Sequence, residues 1–461
     1  MLENFIISRI NAELPFEPNE EKDGLFALLG QFIASPKEHK AFLLRGYAGT
    51  GKTSVVSALV RALDKLHQPT VLLAPTGRAA KVLSKYSGFP AFTIHKFIYR
   101  QDRLGDESFS LADNKLQNAL FIVDEASMIS ASRDNPTFGT GNLLDDLIRF
   151  VYNGQGCSLL LLGDDAQLPP VGTDESPALN GLVLLAYGLD VYQYILRQVA
   201  RQALDSGILR NATALRELLN NGQTNEVPKQ EICDDVIQVN SNDLVDSIEK
   251  SYREVGSEET IIITRSNRRA TLFNQGVRAR ILWREEKIEN GDSIMVVKNN
   301  YYQTQDYEDL PFLANGDMFE IIRLRNEREM YGFHFVEADL RNVDYDWEIH
   351  ALLWLDTLTT DSPEKNYAMQ KELFSRIAED YPEIRNKKEL TKKIFESPYY
   401  NALQIRFAYA VTCHKAQGGQ WKHVYIDRNS MERPDETGDK REQLRWLYTA
   451  LTRATEKVFL I

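Results

Sequence analysis

Residues 41–60 read AFLLRGYAGTGKTSVVSALV, and the fold class follows from how that stretch divides. AFLLRG (41–46) is an apolar run of strand length. KTSVVSALVRALDKL, beginning at Lys52, spaces its apolar residues as a helix does. Between them lies Gly46-Tyr47-Ala48-Gly49-Thr50-Gly51-Lys52-Thr53, a complete G-x-x-x-x-G-K-T loop. Its glycines let successive backbone N–H groups curl around phosphate oxygens without Cβ clashes. The helix that follows turns its positive end toward the same anion. On this reading Gly46, Ala48, Gly49, Thr50, Gly51, Lys52, Thr53 and Ser54 cradle the phosphates of ATP. Lys52 reaches the β- and γ-phosphates, and the Thr53 hydroxyl binds Mg2+. A chance Gly-rich turn is the plain alternative; the strand before the loop and the helix after it weigh against that.

The same strand–loop–helix unit recurs outward from this stretch. TVLLAPTG (70–77) precedes RAAKVLSKY, and LFIVDEAS (120–127) and SLLLLGDD (158–165) are further apolar runs ending in acids. Continuous apolar runs with functional residues at their C-terminal ends are the mark of a buried parallel sheet. Asp124-Glu125 ends one of them. Two adjacent carboxylates there divide the work, Asp124 for the metal and Glu125 for polarising an attacking water. An acidic pair at a strand end is more often a helix cap, but its place after the phosphate loop favours chemistry. A second α/β set follows in TIIITRSN (260–267), FAYAVTCHKAQG (407–418), HVYIDR (423–428) and KVFLI (457–461). The texture changes between about 291 and 402, where β-like runs give way to polar helical ones.

At 461 residues, two or three domains are expected. The composition, 43% hydrophobic and 26% charged, is that of a globular protein. No apolar run approaches the ~20 residues of a membrane span, and the first residues do not read as a secretion signal. Cys157, Cys233 and Cys413 lie far apart, which argues against a disulfide framework or a zinc site. The net charge of −12 counts against a protein that simply coats nucleic acid through a basic surface, though not against one with a basic channel.

Five further segments carry a family resemblance: APTGRAAKVL (74–83), TIHKF (93–97), GDDAQLPPVG (163–172), TCHKAQGGQW (412–421) and YTALTRA (448–454). In this order they resemble the motif set of superfamily 1B DNA helicases of the RecD/Dda-like group. The resemblance implies an α/β chain of two tandem RecA-like (P-loop) parallel-sheet domains, with a short β-pin insertion and an SH3-like β insertion. It places the first motor domain at 1–195 with the pin at about 97–117. The second would comprise 196–290 plus 403–461, and the inserted β domain with a helical arm 291–402.

The same resemblance assigns Gln167 to sensing the γ-phosphate, and Arg201 and Arg453 to reaching the nucleotide as arginine fingers across a closing cleft. It points to Thr76, Thr93 and His95, and to Asn267, Thr412, His414 and Gln417, as DNA contacts. By subtype it implies ATP-driven 5′-to-3′ movement. The implied partners are single-stranded DNA and tailed or forked duplex DNA, with room for protein partners in repair, recombination or replication. A monomer, no membrane association and a cytoplasmic (nucleoid-associated) address complete the expectation. A RecD-like translocase that unwinds poorly without a partner is the alternative within this family. A nucleotide-dependent switch and a nuclease are the readings outside it. In that pin, aromatic and basic residues would stack on a terminal base pair; a plain surface hairpin is nearly as good a reading of the segment. One departure stands out: Pro18-Asn19-Glu20-Glu21-Lys22 puts a lysine where relatives carry an adenine-reading glutamine. A lysine cannot accept a hydrogen bond, so a weaker preference for ATP over GTP is expected.

Overall fold

A computed structural model of the chain describes residues 2–14, 18–101, 109–133, 138–199, 205–304, 307, 310, 312–345, 347–360, 362–428 and 440–461. The chain forms two compact units. The first comprises Met1–Val236, Gln417–Gln420 and Pro434–Thr455; the second comprises Ile237–Ala416, Trp421–Arg433 and Glu456–Ile461. The boundary expected near residue 195 lies inside the first unit.

The first unit opens with α1 (Leu2–Glu13) and α2 (Glu20–Ala34), then builds a six-stranded sheet. Its strands are β1 (Lys40–Gly46), β2 (Thr70–Ala74), β3 (Ala91–Thr93), β6 (Leu120–Val123), β7 (Ser158–Gly163) and β8 (Asp190–Leu196). Their order is β3-β2-β6-β7-β1-β8, with every pairing parallel. Leu43 pairs with Leu161 and Ile122 with Leu160. β6 and β7 are buried along their whole length, as their unbroken apolar sequences require. Helices α3 (Lys52–Lys65), α4 (Gly77–Ser87), α5 (Ile94–Ile98), α6 (Leu143–Asn153), α7 (Gly181–Ala186) and α8 (Gly207–Asn220) fill the connections. α3 buries Val55, Val56, Leu59, Val60 and Leu63 in a core shared with Phe26, Leu29 and Phe32 of α2. Each such side chain contributes roughly 1.5–3 kcal/mol.

The expected pin is an antiparallel hairpin of β4 (Tyr99–Gln101) and β5 (Phe109–Leu111), pairing Arg100 with Ser110. Its tip, residues 102–108, lies outside the described residues. The root is core: Tyr99 is 4% and Phe109 3% exposed, and both pack on Phe138. Of the aromatics expected to stack on a base pair, these two are therefore structural, and Phe97 packs on Phe121 and Phe150.

The second unit contains the second α/β sheet, of order β16-β10-β17-β18-β9. Its strands are β9 (Val236–Gln238), β10 (Thr260–Thr264), β16 (Ala410–Thr412), β17 (Trp421–Ile426) and β18 (Ala454–Leu460), with helices α9 (Leu244–Val255), α10 (Asn267–Arg280) and α13 (Cys413–Ala416). α14 (Arg441–Leu451) belongs to the first unit. The expected β insertion is a closed barrel of β11 (Ser293–Val296), β12 (Met318–Met330), β13 (Phe333–Asn342), β14 (Glu348–Trp354) and β15 (Leu403–Phe407). Its last strand runs past the expected end at 402. The helical arm, α11 (Pro363–Ala378) and α12 (Lys387–Phe395), sets Leu373, Ile377 and Ile394 against Phe333, Phe335 and Trp354.

Asp292, fully buried, ties the barrel to the α/β sheet. It accepts hydrogen bonds from Arg278 Nε at 3.0 Å, the Tyr409 hydroxyl at 2.9 Å and the Glu289 amide at 2.8 Å, and pairs with Arg284. Four donors on one carboxylate make this charge tolerable in the interior. Among the described residues no helix is long and apolar enough to cross a membrane.

Candidate functional site

The phosphate loop closes the C-terminal end of β1, and the backbone has the form the sequence requires. Gly49 and Gly51 hold φ of +76° and +86°, where a side chain is strained. A Cβ on Gly49 would also stand 3.0 Å from Leu209. The Lys52 ammonium is folded back onto the loop, donating to the carbonyls of Tyr47 at 3.1 Å and of Gly46. It thus sits among acceptors that an arriving phosphate can replace. The Ala48 amide donates to the Tyr448 hydroxyl at 2.9 Å, and that hydroxyl donates to Asp164 Oδ2 at 2.6 Å. One residue on, Thr449 Oγ1 accepts from the Leu168 amide at 2.9 Å. α14 is therefore clamped to the two loops that follow β1 and β7.

Asp124 and Glu125 stand beside this loop at the end of β6. Burial pushes the Asp124 carboxyl up to about 6, with the Glu125 charge adding to it, while the Glu125 amide at 2.8 Å partly opposes the shift. Glu125 itself has φ +51°, an uncommon left-handed backbone for a non-glycine residue. Arg453, 4% exposed, places Nη1 3.6 Å from Glu125 Oε1 and donates to the Gly419 carbonyl at 3.3 Å. Gln167 is 6% exposed, and its buried Oε1 has no hydrogen-bond partner among the described residues. Lys52, Thr53, Asp124, Glu125, Gln167 and Arg453 all line one cavity of ≈ 460 Å3 in the first unit.

The oxygen donors fit a small hard cation. Thr53 and Asp124 flank the cavity, and Gln167 Oε1 is an orphaned acceptor within it. Among the described residues no cluster of three or more His, Cys, Asp or Glu could hold a metal by itself. Two protein groups plus phosphate oxygens is the usual way to hold Mg2+.

Arg201 lies outside the described residues. Lys22 does not: it is 6% exposed, and its Cε lies 3.8 Å from where a side chain on Gly51 would begin. The neighbouring Glu21 carboxylate accepts from the amides of Arg197 at 2.7 Å and Gln198 at 3.0 Å, fixing this N-terminal segment to the end of β8.

The residues expected to touch DNA are not alike. Thr76 and Thr93 follow β2 and end β3, and their hydroxyls cap α4 and α5 by accepting from Ala79 and Lys96 amides, each at 3.2 Å. Such helix starts present further amides to an anion. His95 packs against the rings of Phe138 and Tyr99, at 4.9 and 5.7 Å, and burial pushes its imidazole down to about 4. It is therefore a neutral ring in physiological buffer. Gln417, 5% exposed, donates to the Leu168 carbonyl at 2.7 Å, so its amide is engaged with the loop after β7.

In the second unit Asn267 and Thr412 line a cavity of ≈ 210 Å3. His414 stands two residues beyond Thr412, half-buried on α13. This cavity also takes in Arg406, Lys415, Asn315 and Asn366, which the sequence reading passed over. Lys415 was within sight, inside TCHKAQGGQW. Its ammonium donates to Asn315 Oδ1 at 2.6 Å, and burial lowers it to about 8. Arg406 lies on a barrel strand and carries no local signal. Tyr448, inside YTALTRA, was passed over because a tyrosine in a helix pattern reads as core.

Residues 28–237 match the AAA domain family, and residues 407–461 match the UvrD-like helicase C-terminal domain family. An uncharacterised protein of Acanthamoeba polyphaga mimivirus is 24% identical over 498 residues, covering 91% of this chain and 95% of that protein. The ATP-dependent DNA helicase dda of Enterobacteria phage T4 is 24% identical over 475 residues, covering 96% and 98%. The ATP-dependent RecD2 DNA helicase of Deinococcus radiodurans is 31% identical over 201 residues. That match takes in 43% of this chain and 25% of the relative, so the chain spans only a part of the longer protein.

Proposed function

From the premise that the chain belongs to the superfamily 1B helicases of the RecD and Dda kind, we propose that it is an ATP-dependent motor on single-stranded DNA. It moves 5′ to 3′ and separates the duplex ahead of it. The observation that carries the reading is the convergence of Lys52, Thr53, Asp124, Glu125, Gln167 and Arg453 on one cavity.

Their chemistry divides as follows. Lys52 leaves the loop carbonyls for the terminal phosphates, and the loop amides and the N-terminal end of α3 hold the remaining charge. Mg2+, held by Thr53 and Asp124, supplies charge neutralisation when bound. Glu125 orients the attacking water and takes up its proton. Arg453, permanently charged, stabilises the charge that builds on the transferred phosphoryl group. Gln167, with one acceptor unused, reads whether the terminal phosphate is present. The polarity rests on GDDAQLPPVG and CHKAQGGQW, which resemble the 5′-to-3′ subtype. Lys22 beside the loop supports a weak preference for ATP over GTP; strong discrimination against GTP in a competition assay would count against that assignment.

A second reading, a translocase that needs a partner to unwind, is favoured by one observation. Tyr99 and Phe109 at the root of the pin are buried and cannot stack on a base pair.

Strand separation on duplexes with a 5′ or a 3′ tail tests both readings, with ATP, Mg2+ and a Lys52→Ala control. Unwinding from the 5′ tail alone, lost in the control, is the expected result. Unwinding from the 3′ tail overturns the polarity. DNA-stimulated ATPase without unwinding favours the partnered translocase.

A further inference from the structure

Every residue from 46 to 54 but Tyr47 is expected to touch phosphate, yet the loop is built around the Tyr47 carbonyl. That oxygen accepts from the Thr50 hydroxyl at 2.8 Å, from the Thr50 amide at 3.3 Å and from the Lys52 ammonium at 3.1 Å. Thr50 is fully buried. Its two bonds close the turn that contains Gly49, and neither needs Lys52, so the turn keeps its shape when the ammonium leaves for a phosphate. The placing of Tyr47 thus sets the form of the loop before nucleotide arrives.

The side chain of Tyr47 is held by α8. Leu209, Arg216 and Asn220 stand at i, i+7 and i+11 and so share one face of that helix. Leu209 meets the loop at Gly49, where an added Cβ would lie 3.0 Å from it. The Arg216 guanidinium lies 4.5 Å from the centre of the Tyr47 ring. Asn220 Nδ2 donates to the Tyr47 hydroxyl at 3.1 Å, and Asn220 Oδ1 stands 3.4 Å from the same oxygen. Burial, with the Asp165 charge adding to it, raises that hydroxyl above its ordinary value, so it stays protonated. α8 is itself fixed at its first turn. There Asp235 accepts from the Gly207 amide at 3.0 Å, the Ile208 amide at 3.3 Å and the Ser206 hydroxyl at 2.8 Å.

We propose that Tyr47 is a positioning residue for nucleotide, gripped by Arg216 and Asn220 so that its carbonyl holds the phosphate loop in its binding shape. The proposal rests on the nucleotide reading of the first cavity. Tyr47 acts through Thr50 and Lys52 rather than on the reacting atoms. A cation over an aromatic face and a hydrogen bond are both short-range restraints with a preferred geometry. A loop ordered in advance loses less freedom when its ligand binds. The grip therefore lowers KM and leaves the chemical step to Lys52, Glu125 and Arg453. It gives α8 a second task beside placing Ile208 and Leu209 against the cavity.

The test is steady-state ATP hydrolysis by the full chain with saturating single-stranded DNA, beside a binding titration with fluorescent mant-ADP. Tyr47→Phe and Asn220→Ala should each raise KM and the mant-ADP Kd about fivefold, the scale of one hydrogen bond, with kcat held within about twofold. The double variant should do no more than either alone, because both changes remove the same bond. Arg216→Gln should raise both constants about threefold, and Arg216→Lys should restore them in part. Unchanged KM in all three single variants overturns the proposal, as do additive effects in the double variant. A kcat that falls in step with kcat/KM at constant KM also overturns it, by placing Tyr47 in the chemical step. Wild-type hydrolysis that is lost in Lys52→Ala upholds the nucleotide site whatever the Tyr47 variants show. A wild type that neither binds mant-ADP nor hydrolyses ATP sinks that reading and the proposal with it.

Discussion

The nucleotide cavity of the first unit and the smaller cavity of the second both lie where parallel strands end, yet they are assembled differently. In the first, the lining groups proposed to act on phosphate come mostly from short stretches that each close a strand, 46–54 after β1, 124–125 after β6 and 164–167 after β7, and Arg453 alone follows a helix, α14. In the second, Asn267 and Thr412 come from such ends. Arg406, Asn315 and Asn366 come from the barrel and its helical arm, inserted between them in sequence. The comparison teaches that a site made of strand ends is fixed by the sheet itself. A site that borrows from an insertion is only as firm as the docking of that insertion.

The largest expected effect tests the first cavity. Arg453→Ala should lower DNA-stimulated ATP turnover by about 10³-fold, the scale of a lost arginine finger. A loss below about tenfold in a steady-state assay would make Arg453 a structural arginine that merely ties α14 to Glu125 and Gly419.

The docking of the insertion is tested next. Asp292→Ala leaves Arg278 and Arg284 buried without their carboxylate, and should cost about 3–5 kcal/mol by urea denaturation. Nucleotide affinity, a property of the first unit, should be unchanged while single-strand affinity falls. An unaltered unfolding midpoint would break the contrast between the two cavities.

Tyr448→Phe probes the clamp on the phosphate loop. It removes the acceptor of the Ala48 amide and the donor to buried Asp164, and should destabilise by about 1–3 kcal/mol with weaker nucleotide binding. Unchanged nucleotide affinity would show that the clamp does not shape the loop.

The smallest effect is a pH dependence at Lys415. Its folded-state value, about 8, lies below the unfolded 10.5, so the unfolded chain binds more protons in the window between them. Stability should therefore rise with pH across that window, while single-strand affinity falls above about pH 8 as the charge is lost. Lys415→Arg should abolish the loss of affinity. A flat binding profile in the wild type would place Lys415 off the strand.

The sites were legible to different depths for the same reason that they are built differently. GYAGTGKT and LFIVDEAS announced chemistry and strand together, because a loop that must wrap phosphate needs glycine at fixed spacing. Gln167 and Arg453 were reached only through resemblance, yet they line the same cavity as Lys52. Thr412 and Asn267 were found by the same route, whereas Arg406 was not. A cation on a strand has no local signature, and its role depends on what a distant loop brings opposite it. The pin shows the converse. The resemblance put base-stacking aromatics in the segment 97–117, but hairpin pairing turns Tyr99 and Phe109 toward Phe138 and buries them.

By itself the sequence determined the parallel α/β class, the phosphate loop, the acidic pair and the presence of a β insertion. These depend on periodicity and on residue spacings of a few positions, which act through local backbone geometry. Only the tertiary structure decided that Lys52 rests on its own loop carbonyls and that Tyr448 holds the Ala48 amide. Those facts join residues as much as 400 positions apart. Their energies come from burial and from paired donors and acceptors, which exist only once the sheet has brought its strand ends together.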